Sequence, residues 1–206
     1  MTQEPKVERG WGIWVALAIA VLAGTIVLYL HNGGAGKSEV IAIPASMRAM
    51  QALIKGEMAA FTLRDAPVAL APVTFKDADG KDLDLKAWRG KVVLLNIWAT
   101  WCAPCRHEMP ALDTLKAELG GKGLDVLALS TDRGGIDKPR KFWTEIGIKS
   151  LGLYLDTGDA THSLGILGMP TTLLIDREGR EIGRLVGPAE WSSPEAKALI
   201  LAAQKQ

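Results

Sequence analysis

The chain has two cysteines, three positions apart in Trp101-Cys102-Ala103-Pro104-Cys105. Disulfide exchange needs one thiolate to attack and a second thiol close enough to resolve the mixed disulfide, and this spacing supplies both when a helix starts at the pair. At a helix N-terminus, unpaired N–H groups and the positive dipole end stabilise a thiolate, lowering a pKa of ~8.5 to ~7 or below. Cys102 is therefore the expected nucleophile, and Cys105, further into the helix, the expected resolving thiol. Three other uses of the pair fare worse. Structural zinc lacks a second pair of ligands, since His31, His107 and His162 are scattered. Covalent haem requires histidine directly after the second cysteine, where Arg106 stands. A static disulfide closing so short a loop gains little chain entropy and leaves the flanking Trp101 and Pro104 without a reason.

The surrounding sequence supplies the elements that would position the pair. Val92 to Trp98 is apolar except for Asn96, the pattern of a central strand covered on both faces, and it leads directly to Trp101. Helical spacing of Met109, Leu112, Leu115 and Leu119 follows from Pro104, with Gly120 and Gly121 as the stop. A hairpin over Val73–Phe75 and Leu83–Leu85 should precede this unit. After it come a strand at Leu124–Ser130, a helix at Lys138–Ile146, a short strand at Leu151–Leu155, a hairpin of Thr171–Asp176 with Glu181–Val186, and a closing helix at Pro194–Ala203. The order is βαβ, then ββα.

With 206 residues, the chain has room for a topogenic segment and one ordinary domain. Its 24 Lys plus Arg balance 23 Asp plus Glu, so the charge points to no nucleic acid or other polyanion as partner. The apolar run 11–30, with Trp11, Trp14 and Tyr29 at its edges, is long enough for a helix crossing ~30 Å of hydrocarbon. A retained anchor is the preferred reading over a cleaved signal or a buried core helix, because the run exceeds a signal's apolar core. Residues 1–10 would then be cytoplasmic, with the domain exported. Residues 31–69 read as a linker with a short helix from Ser46 to about Lys55, and 70–206 as the domain. Gly33-Gly34-Ala35-Gly36-Lys37-Ser38 in that linker lacks the spacing and the preceding strand of a phosphate loop, leaving a flexible tether.

From about residue 70 onward the chain resembles the thioredoxin superfamily. The strand, Trp-Cys-Ala-Pro-Cys and helix carry the likeness, with Pro110 inside the helix and Gly168-Met169-Pro170-Thr171 beyond it. Within that superfamily it looks most like the TlpA group of membrane-anchored periplasmic proteins, on Asn96 to Cys102, Arg106 to Pro110, the added strand and helix over 124–147, Gly168 to Thr171, and Gly187-Pro188-Ala189-Glu190-Trp191. The resemblance implies an α/β thioredoxin-like fold with a central mixed sheet flanked by helices. It also implies a cis peptide bond before Pro170, so that a substrate strand could pair with Met169 beside the cysteines. An ordinary turn proline is the alternative there. Thioredoxins usually carry a buried aspartate where Asn96 stands; TlpA-like proteins commonly carry a glutamate at the place of Glu108. That carboxylate could take the proton of the resolving thiol if burial raised its pKa. Equally open is a solvated first-turn acid. Trp101 is the better candidate for substrate contact, whereas Trp98 fits the core as well.

Ala103 and Pro104 bring no side-chain donor, and Pro104 no N–H, to stabilise a reduced thiolate. With the TlpA likeness this favours a reductant, in a family of folds spanning about −270 to −120 mV. The implied activity is reduction of disulfides in exported proteins during assembly of a cytochrome oxidase copper site or of cytochrome c. No cofactor or metal is required, a membrane electron donor must recharge the dithiol, and a monomer is the default. A dedicated cytochrome c maturation thioredoxin fits less well, because such proteins typically carry an acid where Thr171 stands. A Sco-type copper carrier would need a wider cysteine spacing and a histidine.

Overall fold

The computed structural model describes residues 19–22, 25, 45–121 and 123–206. Residues 19–22 and 25 are helical, with Ile19, Val21 and Leu22 exposed. The rest of the expected anchor at 11–30, the N-terminal residues 1–10 and the glycine-rich tether lie outside the described residues. Among the described residues no helix is long and apolar enough to cross a membrane.

The C-terminal unit is built on one mixed sheet of eight strands. In chain order these are β1 (Thr62–Ala69), β2 (Thr74–Asp77), β3 (Asp82–Asp84), β4 (Val92–Trp98), β5 (Leu124–Ser130), β6 (Gly152–Asp156), β7 (Thr171–Ile175) and β8 (Arg180–Val186). Across the sheet they lie as β1-β8-β7-β4-β5-β6-β2-β3. β4, β5 and β6 run parallel, while β7 is antiparallel to both β4 and β8. The helices are α1 (Ala45–Gln51), α2 (Ala103–Leu119), α3 (Asp137–Ile146), α4 (Ala160–Ser163) and α5 (Pro194–Ala203). This is the thioredoxin-like α/β arrangement with a mixed sheet expected from the resemblance.

β4 is buried along its whole length because both its faces are covered. Val92, Leu94 and Trp98 point into a core shared with Met109, Leu112 and Leu115 of α2 and Leu199 and Ile200 of α5. Val93, Leu95 and Ile97 point the other way, onto Trp88, Leu164 and Leu173. Strand alternation thereby places Asn96 on the α2 side, where a buried amide must find polar partners.

Two segments of the expected linker belong to this domain. β1 pairs antiparallel with β8, so the sheet begins at Thr62 rather than at residue 70. Its sequence hides the strand: Pro67 interrupts it and polar residues break the alternation, both tolerated because β1 is an edge strand with a register irregularity between Leu63 and Val68. The helix anticipated to Lys55 ends at Gln51, and Met47, Met50 and Met58 are fully buried in the larger core. α1 lies against α5, so its apolar face serves the domain as a whole.

Candidate functional site

The site forms where β4 ends and α2 begins. Cys102 is the N-cap of α2, with extended backbone (φ −88°, ψ 101°), and its Sγ accepts from the Cys105 N–H at 3.3 Å. Pro104 occupies the first turn, where a missing N–H costs nothing. Cys102 and Cys105 are joined by a disulfide of 2.03 Å. Cys102 keeps 6% of its surface exposed and Cys105 none, which places the first sulfur at the entrance and the second beneath it.

Glu108 lies one turn beyond Cys105 on the same side of α2, three residues apart being neighbours on a helix surface. It is not a solvated first-turn acid: α2 begins at Ala103, which puts Glu108 in the second turn, and only 3% of the residue is exposed. Its Oε1 accepts from Asn96 Nδ2 at 2.7 Å, and its Oε2 from Trp191 Nε1 at 3.0 Å and the Ala189 N–H at 3.2 Å. Burial dominates these three donors and pushes its pKa from the ordinary 4.5 up to about 7. Asn96 also donates to Thr172 Oγ1 at 2.9 Å, tying β4 to β7 behind the carboxylate.

Trp98 and Trp101 separate. Trp98 is fully buried and stacks on Trp143 at 4.7 Å between centroids, with Phe142 at 5.6 Å, so it is a core residue. Trp101 is 69% exposed beside Cys102. It lines an open groove with Cys102, Pro104, Ile166, Leu167 and Met169. The Met169–Pro170 peptide is cis, as the resemblance implied. Thr131 Oγ1 approaches Met169 Sδ at 3.7 Å, and the Pro170 carbonyl accepts from the Gly187 N–H at 2.8 Å. Cys102, Cys105, Trp101, Pro104, Met169 and Pro170 are therefore gathered at one end of the sheet, with Glu108 below.

Sequence reasoning missed two parts of this site. Trp191 and the Ala189 N–H hold Glu108, a role that the likeness of residues 187–191 to the TlpA group does not by itself assign. A signal existed in Trp191 itself, since a tryptophan N–H usually meets an acceptor when the ring is buried; Trp98, whose buried Nε1 has no partner among the described residues, is the exception here. Leu167 is 95% exposed at the groove, and nothing in its sequence neighbourhood announces that.

Fold and geometry together define a thioredoxin-fold protein with its disulfide at the head of a helix and a buried carboxyl behind it. The sequence matches the Redoxin family over residues 60–200, and the chain belongs to that family. Among curated relatives, it is 34% identical over 111 residues to the thiol-disulfide oxidoreductase ResA of Bacillus thuringiensis subsp. konkukian, covering 54% of this chain and 64% of ResA. To the thiol:disulfide interchange protein HelX of Rhodobacter capsulatus it is 34% identical over 119 residues, covering 57% of this chain and 61% of HelX. The alignments thus span less than two thirds of either relative. A crystal structure from Chlorobium tepidum, described as a thiol:disulfide interchange protein DsbE, superposes with a TM-score of 0.61 at 28% identity, covering 69% of this chain and 99% of that one.

Proposed function

We propose that the protein is a thiol:disulfide oxidoreductase that reduces disulfides in exported proteins. The observation that carries the reading is the vertical order at the head of α2: a Cys102 that lines the groove, a fully buried Cys105, and a buried carboxyl one turn further whose pKa lies near neutrality. In the reduced protein, the Cys102 thiolate attacks one sulfur of the client disulfide; a mixed disulfide forms and one client thiolate leaves. Cys105 gives its proton to ionised Glu108 and attacks Cys102 Sγ, releasing the second client thiolate. Two electrons pass to the client, and Cys102 and Cys105 end as a disulfide. Trp101, Pro104 and Met169 form the docking groove, with Pro170 presenting the Met169 backbone to an extended client strand.

A low potential is the expected poise, because the residues between the cysteines add no side-chain donor to Cys102. The names of ResA and HelX accord with exchange chemistry. The TlpA resemblance extends the reading to clients that bind copper or haem during cytochrome oxidase or cytochrome c assembly. The apolar run 11–30, in which Ile19, Val21 and Leu22 are exposed, suits a single-pass anchor in the cytoplasmic membrane with the domain in the periplasm. Re-reduction then falls to a dithiol donor in the same membrane.

Trapping tests the order of attack. Reduced Cys105→Ser, mixed with a peptide carrying an internal disulfide, should accumulate a dithiothreitol-sensitive adduct through Cys102, and Cys102→Ser should accumulate none. An adduct confined to Cys102→Ser would overturn the assignment.

A further inference from the structure

Behind the docking groove, on the face of the sheet away from α2, an ionic cluster around one buried carboxylate joins the sheet edge to the loop that carries Leu167 and Met169. Glu181 of β8 is 1% exposed and accepts from two guanidinium groups. Arg64 of β1 donates from Nε at 2.9 Å and from Nη2 at 3.0 Å. Arg184 of β8 donates from Nε at 2.6 Å and from Nη2 at 2.7 Å. Residues three apart on a regular strand face opposite sides. Glu181 and Arg184 meet because the β7–β8 register shifts between Leu174 and Ile175, one extra residue returning both to one face.

Among the described residues, Arg184 alone of the two reaches beyond the carboxylate. Its Nη2 donates to the Leu164 carbonyl at 3.1 Å and its Nη1 to the Gly165 carbonyl at 3.2 Å. These carbonyls close the turn after α4, where Gly165 has φ +59° and the Ile166 N–H returns to the Thr161 carbonyl at 2.8 Å. At the other end of the loop, Thr171 Oγ1 donates to the Gly168 carbonyl at 2.6 Å. The groove wall from Ile166 to Leu167 is thus suspended between two fixed points, and Leu167 projects from it with 95% of its surface free.

We propose that Arg184 is a positioning residue for client docking: its guanidinium, held rigid by buried Glu181, fixes the loop bearing Leu167 and Met169 against the Cys102 entrance. A planar fork suits this task, since Arg184 meets the carboxylate and two carbonyls at once, which a single ammonium cannot. Arg64 serves as the internal control, because it pairs with the same carboxylate and makes no bond to the loop. The inference rests on the proposed exchange activity, and the test separates the two.

Reduced full-length protein is mixed in a stopped-flow instrument with a peptide containing an internal disulfide flanked by leucines, or with 2-hydroxyethyl disulfide, and tryptophan fluorescence follows oxidation. Wild-type reaction with the small disulfide tests the redox reading; the ratio of the two rate constants tests Arg184. Arg184→Met should slow the peptide reaction about tenfold and the small-disulfide reaction less than about twofold. Arg64→Met should leave the ratio within about twofold of wild type. Should Arg184→Met fail to fold, Arg184→Lys retains the charge facing Glu181 and should still lower the ratio by about threefold. Equal slowing with both disulfides, an unchanged ratio, or the same loss of ratio in Arg64→Met would overturn the proposal.

Discussion

Replacing Glu108 by glutamine keeps the shape of a buried side chain and removes its titration. Because burial raises the Glu108 pKa from 4.5 to about 7, the folded protein retains between those values a proton that the unfolded chain releases. The folded state binds more protons there, so stability falls as pH rises through the window. Each pH unit is worth about 1.4 kcal/mol, so the carboxyl should remove about 3 kcal/mol of stability between pH 4 and pH 8. Glutamine escapes this loss. Its carbonyl can still accept from Trp191 Nε1, and after an amide flip of Asn96 its NH2 can meet Asn96 Oδ1, a buried acceptor without a partner among the described residues. Urea unfolding of the oxidised protein at pH 4 and pH 8 reads the difference directly. Wild type should lose about 3 kcal/mol more than Glu108→Gln over that interval, or about 6–12 °C in Tm for a domain of this size. Parallel losses in the two proteins would refute the raised pKa and, with it, Glu108 as a base working near neutral pH.

Trp191→Phe removes one of the three donors that hold the ionised form of Glu108, so its titration should move further up, by about one pH unit. Carbon-13 NMR of the labelled carboxyl measures this, and an unmoved midpoint contradicts the hydrogen-bond assignment. Trp101→Ala, at a largely exposed position, should change stability by less than about 0.5 kcal/mol yet slow exchange with a peptide disulfide about tenfold. Unfolding and exchange kinetics on the same preparation decide whether Trp101 is a docking residue or simply surface.

The central elements were legible because their sequence patterns answer to simple demands. The apolar run of β4 reflects two covered faces, and the spacing of Met109, Leu112 and Leu115 reflects the buried side of α2. β1 was not legible: an edge strand needs only one paired side, so Pro67 and its polar residues leave little alternation to detect. At the site, the cysteines announced themselves through their number and spacing. Glu108 could be named but not decided, because whether an acid in the second turn of α2 is solvated depends on Asn96 and Trp191, which approach from 12 residues before and 83 residues after it. The cluster of Arg64, Glu181 and Arg184 was invisible for a related reason. Its facing depends on the irregular register along β8, whereas a regular strand would have put Glu181 and Arg184 on opposite faces.

The most direct test is a redox titration of the protein in graded mixtures of reduced and oxidised glutathione, following tryptophan fluorescence and alkylation of Cys102 together. A single two-electron transition, coincident in both probes and centred at or below about −230 mV, is the predicted result for a reductant. A midpoint between about −180 and −120 mV would reverse the direction of electron flow. Failure to form any reversible disulfide would contradict the oxidoreductase account itself.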